Sequence, residues 1–278
     1  MKNKTKAVED SLEMLPSYKG LKNKEADKLR DLSLTCFNLG KADAVFIKTE
    51  DEAVLIDAGL DEKVEEVLKY FKEHHITSLD YLIITHFDKD HVGGASKILD
   101  NLQVKNVLQS YYEKDSLYYR NYLNALKEKA IKPLTVLSKL SFSLGDAVFT
   151  VYPPSQMGYR KKESNNSSLV LHAIHGENSF LFTGDAMDER LLELMTSYEI
   201  KSRFLKVPYH GRYLVTLPEF FSRVKAECAV ITSSDGRPED IRTLEALKDV
   251  GTRMYLTRRG KVICHSDGIK LSINQEIL

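Results

Sequence analysis

The chain has 278 residues, and its 40 lysine and arginine residues are balanced by 40 aspartate and glutamate residues. This length suits one α/β domain, and the zero formal charge excludes a global field that would draw the protein to nucleic acid or to an anionic membrane. Any basic patch must therefore be local. The cysteines Cys36, Cys228 and Cys264 lie far apart in apolar runs, which is typical of buried thiols in a reducing compartment.

The chain shows neither a membrane span nor a secretory signal. No apolar stretch approaches the roughly 18 to 20 residues that cross a bilayer, and residues 1–15 mix charges with apolar side chains. We therefore expect a soluble, cytoplasmic protein, with secretion after loss of a leader as the alternative. Residues 1–31 are charged and broken by Pro16 and Gly20, so we predict an N-terminal arm followed by one domain over residues 32–278.

Short β-rich runs alternate with amphipathic helical stretches in the first half of this domain. The pattern predicts strands over 33–37, 45–48 and 53–56, a helix over 61–74, a strand over 81–85 and a helix over 95–99. One strand thus ends at Asp57 and the next strand, after a helix, ends at His86. Continuous apolar strands of this kind indicate sheets that are covered by helices on one face and by apolar groups on the other.

The second half repeats this order with almost no residue identity. It predicts strands over 142–152, 168–174 and 180–182, a helix over 189–198 and a strand over 204–207. Here one strand ends at Asp185, and the next strand, after a helix, ends at His210. If the two halves pack face to face, the strand ends that carry Asp57, His86, Asp185 and His210 converge on one edge. The sequence therefore predicts a single site at that edge.

The loop after Thr85 carries the strongest chemical signal. It places His86, Asp88, Asp90 and His91 within six residues and closes with two glycines, so several donors can point at one centre. The alternative is a polar turn in which an aspartate caps the next helix and the histidines are incidental.

We favour a metal site because of the two donors in the second half. Asp185 ends a buried strand, where an unpaired charge would be costly, and His210 ends another strand beside Gly211. Each residue alone would be read as an ordinary turn residue. Their matching places in the two halves make a shared cation the better interpretation.

These motifs resemble those of the metallo-β-lactamase superfamily. The resemblance rests on Asp57-x-Gly59, His86-x-Asp88-x-Asp90-His91, Thr183-Gly184-Asp185 and His210-Gly211, in this order. It implies an α/β fold, namely an αβ/βα four-layer sandwich of two mixed sheets flanked by helices. Within the superfamily, the chain is similar to the hydrolase domain of ComEC-type competence (DNA-uptake) proteins. That likeness rests on four features: the loop with Asp88, Asn165-Asn166-x-Ser168-Leu169-Val170, Val207-Pro208-x-His210-Gly211 and Phe37-Asn38-Leu39-Gly40-x-x-Asp43-Ala44.

The resemblance implies a set of metal ligands in two sites. One site would use Asp90, His91 and His210 with Asp185 as a bridging carboxylate. The other would use His86 and Asp88 and share Asp185. Three further residues, Asp57, Asn166 and Tyr209, match positions that order the ligands or meet the substrate.

The chain departs from the superfamily pattern at two ligand positions. Asp88 stands where a histidine is usual, and residues 165–167 read Asn-Asn-Ser where a further histidine is expected. Carboxylate and amide oxygens are harder ligands than imidazole, which shifts the preference of this site from zinc toward manganese or magnesium. We expect one or two divalent ions, zinc or manganese, with magnesium or iron as alternatives.

Two cations about 3.5 to 4 Å apart would hold a hydroxide and clamp a substrate oxygen. The predicted function is therefore a metal-dependent hydrolase that uses a metal-bound hydroxide, with Asp90, Asp185 and His210 as its catalytic residues. Phosphodiesters, in nucleic acid or in a small molecule, are the first substrate class, and Arg160-Lys161-Lys162 either meets such a phosphate or forms a solvated loop. The alternatives are hydrolysis of another ester, a lactone or an amide, or a non-catalytic metal-binding module. The oligomeric state is left open.

Overall fold

The computed structural model describes residues 29–277. The predicted arm over residues 1–31 falls almost wholly outside the described residues, so the arm and its boundary stay predictions. Within residues 29–277, no helix combines the length and the apolar character that a membrane crossing requires.

The first sheet holds the predicted strands of the first half and the C-terminal strands. Its strands are β1 (Leu32–Cys36), β2 (Val45–Lys48), β3 (Ala53–Ile56), β4 (Ser78–Ile84), β5 (Gln103–Gln109), β6 (Leu134–Thr135), β14 (Val262–Ser266) and β15 (Leu271–Gln275). They follow the order β15-β14-β1-β2-β3-β4-β5-β6, antiparallel from β15 to β3 and parallel from β3 to β6.

The second sheet has the mirror arrangement, with a parallel part and an antiparallel part. Its strands are β7 (Leu140–Leu144), β8 (Ala147–Tyr152), β9 (Val170–His175), β10 (Asn178–Phe182), β11 (Phe204–Lys206), β12 (Cys228–Ile231) and β13 (Arg253–Leu256). The order is β13-β12-β11-β10-β9-β8-β7, parallel from β13 to β10 and antiparallel from β10 to β7.

Helices cover the outer face of each sheet. They are α1 (Val64–Glu73), α2 (Lys89–Val92), α3 (Ala95–Asn101), α4 (Leu117–Glu128), α5 (Glu163–Asn166), α6 (Asp188–Ser197), α7 (Leu217–Val224) and α8 (Ile241–Asp249), with short 3-10 segments at Pro208–Gly211 and Thr257–Arg259. In α1 the apolar residues Val64, Val67 and Phe71 recur at helical spacing and are buried, which fixes this helix on the first sheet. The solvent side of the same helix is charged.

Three buried apolar clusters define four layers. One cluster lies between the two sheets, one between the first sheet and helices α1, α3 and α4, and one between the second sheet and helices α6, α7 and α8. Burial on both faces explains the continuous apolar run over residues 81–84 of β4, all of which are buried. The predicted αβ/βα sandwich is confirmed.

One predicted strand is wrong in detail. Residues 142–152, expected as one strand, form the hairpin of β7 and β8 with Leu144 paired to Ala147. The turn needs a residue with positive φ, and Gly145 supplies it at φ +57°. The other predicted elements differ from the structure by only a few residues at their ends, where boundaries are hardest to predict.

All three cysteines belong to the cluster between the sheets. Cys36 lies on β1, Cys228 on β12 and Cys264 on β14, and each is buried with a free thiol, as the sequence predicts. Burial raises the pKa of all three thiols, that of Cys228 to about 12.

Candidate metal centre

The four strand ends named by the sequence meet at the seam between the sheets. Asp57 and His86 follow the adjacent parallel strands β3 and β4, while Asp185 and His210 follow the adjacent parallel strands β10 and β11. Carboxyl ends of parallel strands open onto one edge, and here the edges of both sheets coincide. The nearest donor atoms of His86, His91 and Asp185 lie within 4.8 Å of one another, and so do those of Asp90, His91 and His210.

Four buried atoms in this cluster have no hydrogen-bond partner within the described chain: Nε2 of His86, His91 and His210, and Oδ1 of Asp185. The Asp185 Oδ1 atom lies 3.4 Å from His91 Nε2 and 3.2 Å from His210 Nε2. Buried polar atoms are normally paired, since leaving one unpaired costs on the order of 1 to 3 kcal/mol. Imidazole nitrogens and a carboxylate oxygen are donors that divalent metals accept, so the residues present fit a metal ion.

The other ring nitrogens of His91 and His210 are held by the protein. His91 Nδ1 lies 2.7 Å from Asp57 Oδ2, and the same carboxylate accepts hydrogen bonds from the Thr85 backbone and hydroxyl, each at 2.8 Å. His210 Nδ1 lies 3.0 Å from the Thr232 carbonyl oxygen. These contacts place the proton on Nδ1 and leave the Nε2 lone pair facing the centre when a metal is bound.

The loop over residues 86–94 packs closely against the end of β3, where Asp57 lies. A Cβ atom added to Gly94 would lie 2.4 Å from the Ala58 carbonyl oxygen, so only glycine permits this approach. Three non-glycine residues near the centre, Asp57, Tyr209 and His210, have positive φ. Such conformations cost of order 1 to 3 kcal/mol each in non-glycine residues and cluster at functional sites.

Asp88 lies apart from the two donor groups. Its Oδ1 atom is 4.0 Å from His86 Nε2 and is engaged instead by the Lys114 ammonium and the Ser164 hydroxyl. Asp90 is similarly paired, with its Oδ2 atom 2.6 Å from Lys41 Nζ and 3.5 Å from His210 Nε2. Two lysines therefore stand beside the two loop carboxylates.

The predicted accessory residues have different surroundings. Asn166 is buried, and its side-chain oxygen accepts hydrogen bonds from the Met187 and Arg190 amides at the start of α6. It is the neighbouring Asn165 that reaches the centre, where its amide donates to Asp185 Oδ2 at 3.2 Å. Tyr209 is half-buried beside His210 and lines a cavity at the mouth of the centre.

A buried ion pair behind the ligands was not foreseen from the sequence. Lys206, the last residue of β11, bonds Asp43 and donates to the Gly184 carbonyl oxygen at 3.1 Å. Asp43 also accepts from the Thr232 hydroxyl at 2.5 Å. Burial disfavours the charged form of both groups, but the attraction between the two opposite charges outweighs burial. The pKa of Asp43 is therefore lowered and that of Lys206 is raised.

Burial and neighbouring charges separate the pKa values of two adjacent histidines. Burial lowers the pKa of His86 to about 4, and the nearby His91 contributes to the same shift. Burial also acts to lower the pKa of His91, but the carboxylates of Asp185, Asp57 and Asp43 outweigh it and raise that pKa well above its usual range. His86 is therefore neutral at pH 7 in the metal-free protein.

We expect the metal-free protein to lose stability as the pH falls from about 6.5 to about 4, in part because of His86. Between these pH values His86 is protonated in the unfolded chain and stays neutral in the folded chain. Protonation therefore favours the unfolded chain, and the free energy of unfolding falls by on the order of 3 kcal/mol. Urea unfolding in chelator at several pH values measures this slope for the wild type, for His86→Gln and for the exposed control His265→Gln. The slope should flatten only in His86→Gln, and an unchanged slope there would rule out the role of His86.

A sequence profile of the metallo-β-lactamase superfamily matches residues 38–232, which is more than half of the chain and includes all the donors described above. The chain belongs to the metallo-β-lactamase superfamily. Members of this superfamily are in general hydrolases that use divalent metals. The two sheets and their flanking helices are the fold of the superfamily.

Two curated relatives confirm the predicted likeness to ComEC-type proteins. The chain is 29% identical over 217 residues to ComE operon protein 3 of Bacillus subtilis, a match that covers 70% of this chain and 27% of the relative. It is 26% identical over 209 residues to Recombination protein 2 of Haemophilus influenzae, covering 72% of this chain and 24% of the relative. The chain thus spans about a quarter of the length of each relative.

A solved structure shows the same fold. The metallo-β-lactamase fold protein YhfI of Bacillus subtilis superposes with a TM-score of 0.55 at 10% sequence identity, over 82% of this chain and 96% of that protein. At this level of identity the likeness concerns the fold alone.

Proposed function

We propose that this chain is a metal-dependent hydrolase of phosphodiesters. The observation that carries the proposal is the meeting of four unpaired buried donors, Nε2 of His86, His91 and His210 with Asp185 Oδ1, from both sheets at one seam. The proposed ligands of one divalent ion are Asp90, His91, His210 and Asp185. A second ion would take His86 and Asp185, with Asp88 if it turns away from Lys114.

A divalent ion held by these residues would supply Lewis acidity toward a phosphoryl oxygen and would lower the pKa of bound water. The protein supplies orientation. Asp57 and the Thr232 carbonyl fix His91 and His210 so that their Nε2 atoms keep one direction. The buried Lys206 balances part of the negative charge behind the ligands, which lets several carboxylates remain ionised in a dry site.

The two lysines beside the loop favour phosphate over an uncharged ester or amide. Lys41 and Lys114 are part-exposed, and each ammonium group lies on a carboxylate that is a candidate ligand. If a metal draws Asp88 and Asp90 inward, the ammonium groups are free to meet the non-bridging oxygens of a phosphodiester, which carry the charge. An amide substrate would leave both cations without a partner.

The likeness to ComEC-type DNA-uptake proteins makes nucleic acid the first natural substrate to test. Because the chain corresponds to about a quarter of each relative, this substrate is proposed for the chain and not carried over from the whole relatives. Nucleic acid would need a local cationic surface, since the net charge of the chain is zero.

Turnover of bis(p-nitrophenyl) phosphate after chelation, with Mn²⁺, Mg²⁺ and Zn²⁺ added back separately, tests the proposal. We expect no turnover in chelator and restored turnover with at least one ion, together with one or two bound ions per chain by elemental analysis. Metal uptake without turnover of any phosphodiester would refute the enzyme and favour a metal-binding module. Turnover of an ester or a lactone alone would refute the phosphodiester specificity.

We expect Asp88→His to shift the metal preference toward zinc. An imidazole at this position is a softer ligand than the carboxylate and loses the ion pair to Lys114. Activity titrations with Zn²⁺ and Mn²⁺ should show the ratio of the two activation constants moving toward zinc by about tenfold, on the order of 1.4 kcal/mol. Lys114→Gln is the control, because it breaks the same ion pair without adding a ligand. An identical shift in both variants, or none in Asp88→His, would contradict the prediction.

A further inference from the structure

A cavity of about 550 Å³ adjoins the candidate metal centre and shares His210 and Lys41 with it. We call it the arginine pocket. The residues that matter are Lys41, Tyr209, Arg212, Tyr213, Arg237 and Arg242. Its volume lies within the range of about 300 to 1,000 Å³ that is usual for small-molecule sites. A substrate bound at His210 can therefore extend into it.

The charge of the pocket is strongly positive although the chain as a whole is neutral. Its lining has four lysine or arginine side chains and one carboxylate, that of Asp240. Asp240 forms an ion pair with Arg242, whose guanidinium nitrogens donate hydrogen bonds to it at 3.0 and 2.8 Å. Lys41 forms an ion pair with Asp90. Arg212 and Arg237 are exposed, and neither forms an ion pair within residues 29–277.

Aromatic rings hold part of this cationic lining in place. The Arg212 guanidinium lies 5.7 Å from the centre of the Tyr209 ring, and that of Arg242 lies 4.1 Å from the centre of the Tyr213 ring. Such cation–π contacts orient a guanidinium group without neutralising its charge. The pocket thus presents the Arg212 guanidinium beside the Tyr209 ring, together with the exposed guanidinium of Arg237.

We propose that the arginine pocket binds the phosphate group next to the scissile one in a substrate that carries several phosphates, with Arg212 and Arg237 as its main contacts. A planar guanidinium offers two parallel N–H groups to two phosphate oxygens, so it suits this group better than a point charge does. The inference rests on the proposed function and names its substrate class. The enzyme would prefer an oligonucleotide-like phosphodiester to one with a single phosphate.

The test compares the dinucleotide TpT, which has one phosphodiester, with the trinucleotide TpTpT, which has a neighbouring phosphodiester and one more thymidine. In Arg212→Gln/Arg237→Gln, we expect KM for TpTpT to rise about 10- to 100-fold, as for lost hydrogen bonds to a charged group. The kcat/KM for TpT should stay within about twofold of the wild type. Equal effects on both substrates, or no effect on TpTpT, would overturn the assignment.

A matched control removes two positive charges outside the arginine pocket. Arg253 begins β13 and Lys248 lies in the last turn of α8, and both are exposed. Lys248→Gln/Arg253→Gln has the same net charge as the pocket variant, so a general electrostatic effect would appear in both. A change in KM for TpTpT as large in this control as in the pocket variant would also overturn the assignment.

Binding separates the failure of the pocket from the failure of the proposed function. If the wild type cleaves neither substrate, the phosphodiesterase is refuted, and calorimetry with thymidine 5′-monophosphate then decides about the pocket. Binding by the wild type and the control, lost in Arg212→Gln/Arg237→Gln, would support a phosphate site. Equal affinity of all three proteins, or no binding to any of them, would refute it.

Discussion

Asp185→Asn is expected to lower kcat/KM for a phosphodiester by at least about 1,000-fold, which corresponds to about 4 kcal/mol of transition-state stabilisation. Asp185 Oδ1 lies within 3.4 Å of His91 Nε2 and His210 Nε2, both ligands of one proposed ion. The ligand atoms of Asp185 and His86 lie within 4.8 Å of each other, so the same carboxylate also serves the second proposed ion. Burial acts to raise its pKa, but His210 and His91 outweigh burial and hold the pKa well below its usual range. Asparagine keeps the shape and removes this charge.

The assay for Asp185→Asn combines three readouts. Turnover of bis(p-nitrophenyl) phosphate and elemental analysis should both show the loss, while thermal unfolding in chelator should show that the metal-free variant still folds cooperatively. Asp249→Asn removes an equal charge from the exposed end of α8 and should leave all three values unchanged. Full turnover in Asp185→Asn would exclude Asp185 as a bridging ligand.

Lys206→Met is expected to destabilise the protein by about 3 to 5 kcal/mol, the usual cost of breaking a buried ion pair by removing one partner. The Lys206 side chain is 2% exposed and that of Asp43 is 3% exposed, so water cannot replace the lost ammonium. Asp43 would keep the Thr232 hydroxyl but lose its main countercharge. A loss of this size is a large part of the roughly 5 to 15 kcal/mol that stabilises a typical domain.

A double-mutant cycle tests this assignment by urea unfolding in chelator. The amide introduced by Asp43→Asn carries no charge that could be left unpaired, so Lys206→Met/Asp43→Asn should be more stable than Lys206→Met alone. The double variant also serves if Lys206→Met fails to fold. A cost below about 1 kcal/mol for Lys206→Met, or no recovery in the double variant, would mean that Asp43 does not depend on Lys206.

The convergence of the site could be predicted because it follows from strand order. Asp57 and His86, and then Asp185 and His210, each end neighbouring strands of a parallel pair, and this order is visible as a repeated pattern along the chain. The loop donors are local, so their spacing could be read directly. The family resemblance added the face-to-face packing, which periodicity alone does not determine.

The groups behind the ligands could not be predicted, because their partners are distant in sequence. Lys206 reads as one polar residue in an apolar run, and nothing near it points to Asp43, which lies on the other half of the chain. Lys114 reads as an ordinary surface lysine for the same reason. With no local pattern to mark them, such long-range pairs become visible only in the folded structure.

For Asn165 and Asn166, the sequence could not predict which of the two side chains reaches the metal centre. Asn165 and Asn166 are adjacent, and no sequence pattern favours one over the other, yet their side chains serve different ends because α5 turns between them. Asn165 reaches Asp185, whereas Asn166 holds the start of α6. The predicted role of Asn166 near the substrate stays a prediction. Asn165 is the residue whose amide faces the centre.

The three buried cysteines between the sheets can report how often the two sheets separate. The thiolate is the form of cysteine that attacks alkylating reagents, and burial with a raised pKa suppresses that form at Cys36, Cys228 and Cys264 alike. These thiols become reactive only when the two sheets part, so the labelling rate measures how often the sandwich opens. A metal held by both sheets would slow that labelling in proportion to its occupancy, and a mass spectrum would then report metal binding with no substrate present.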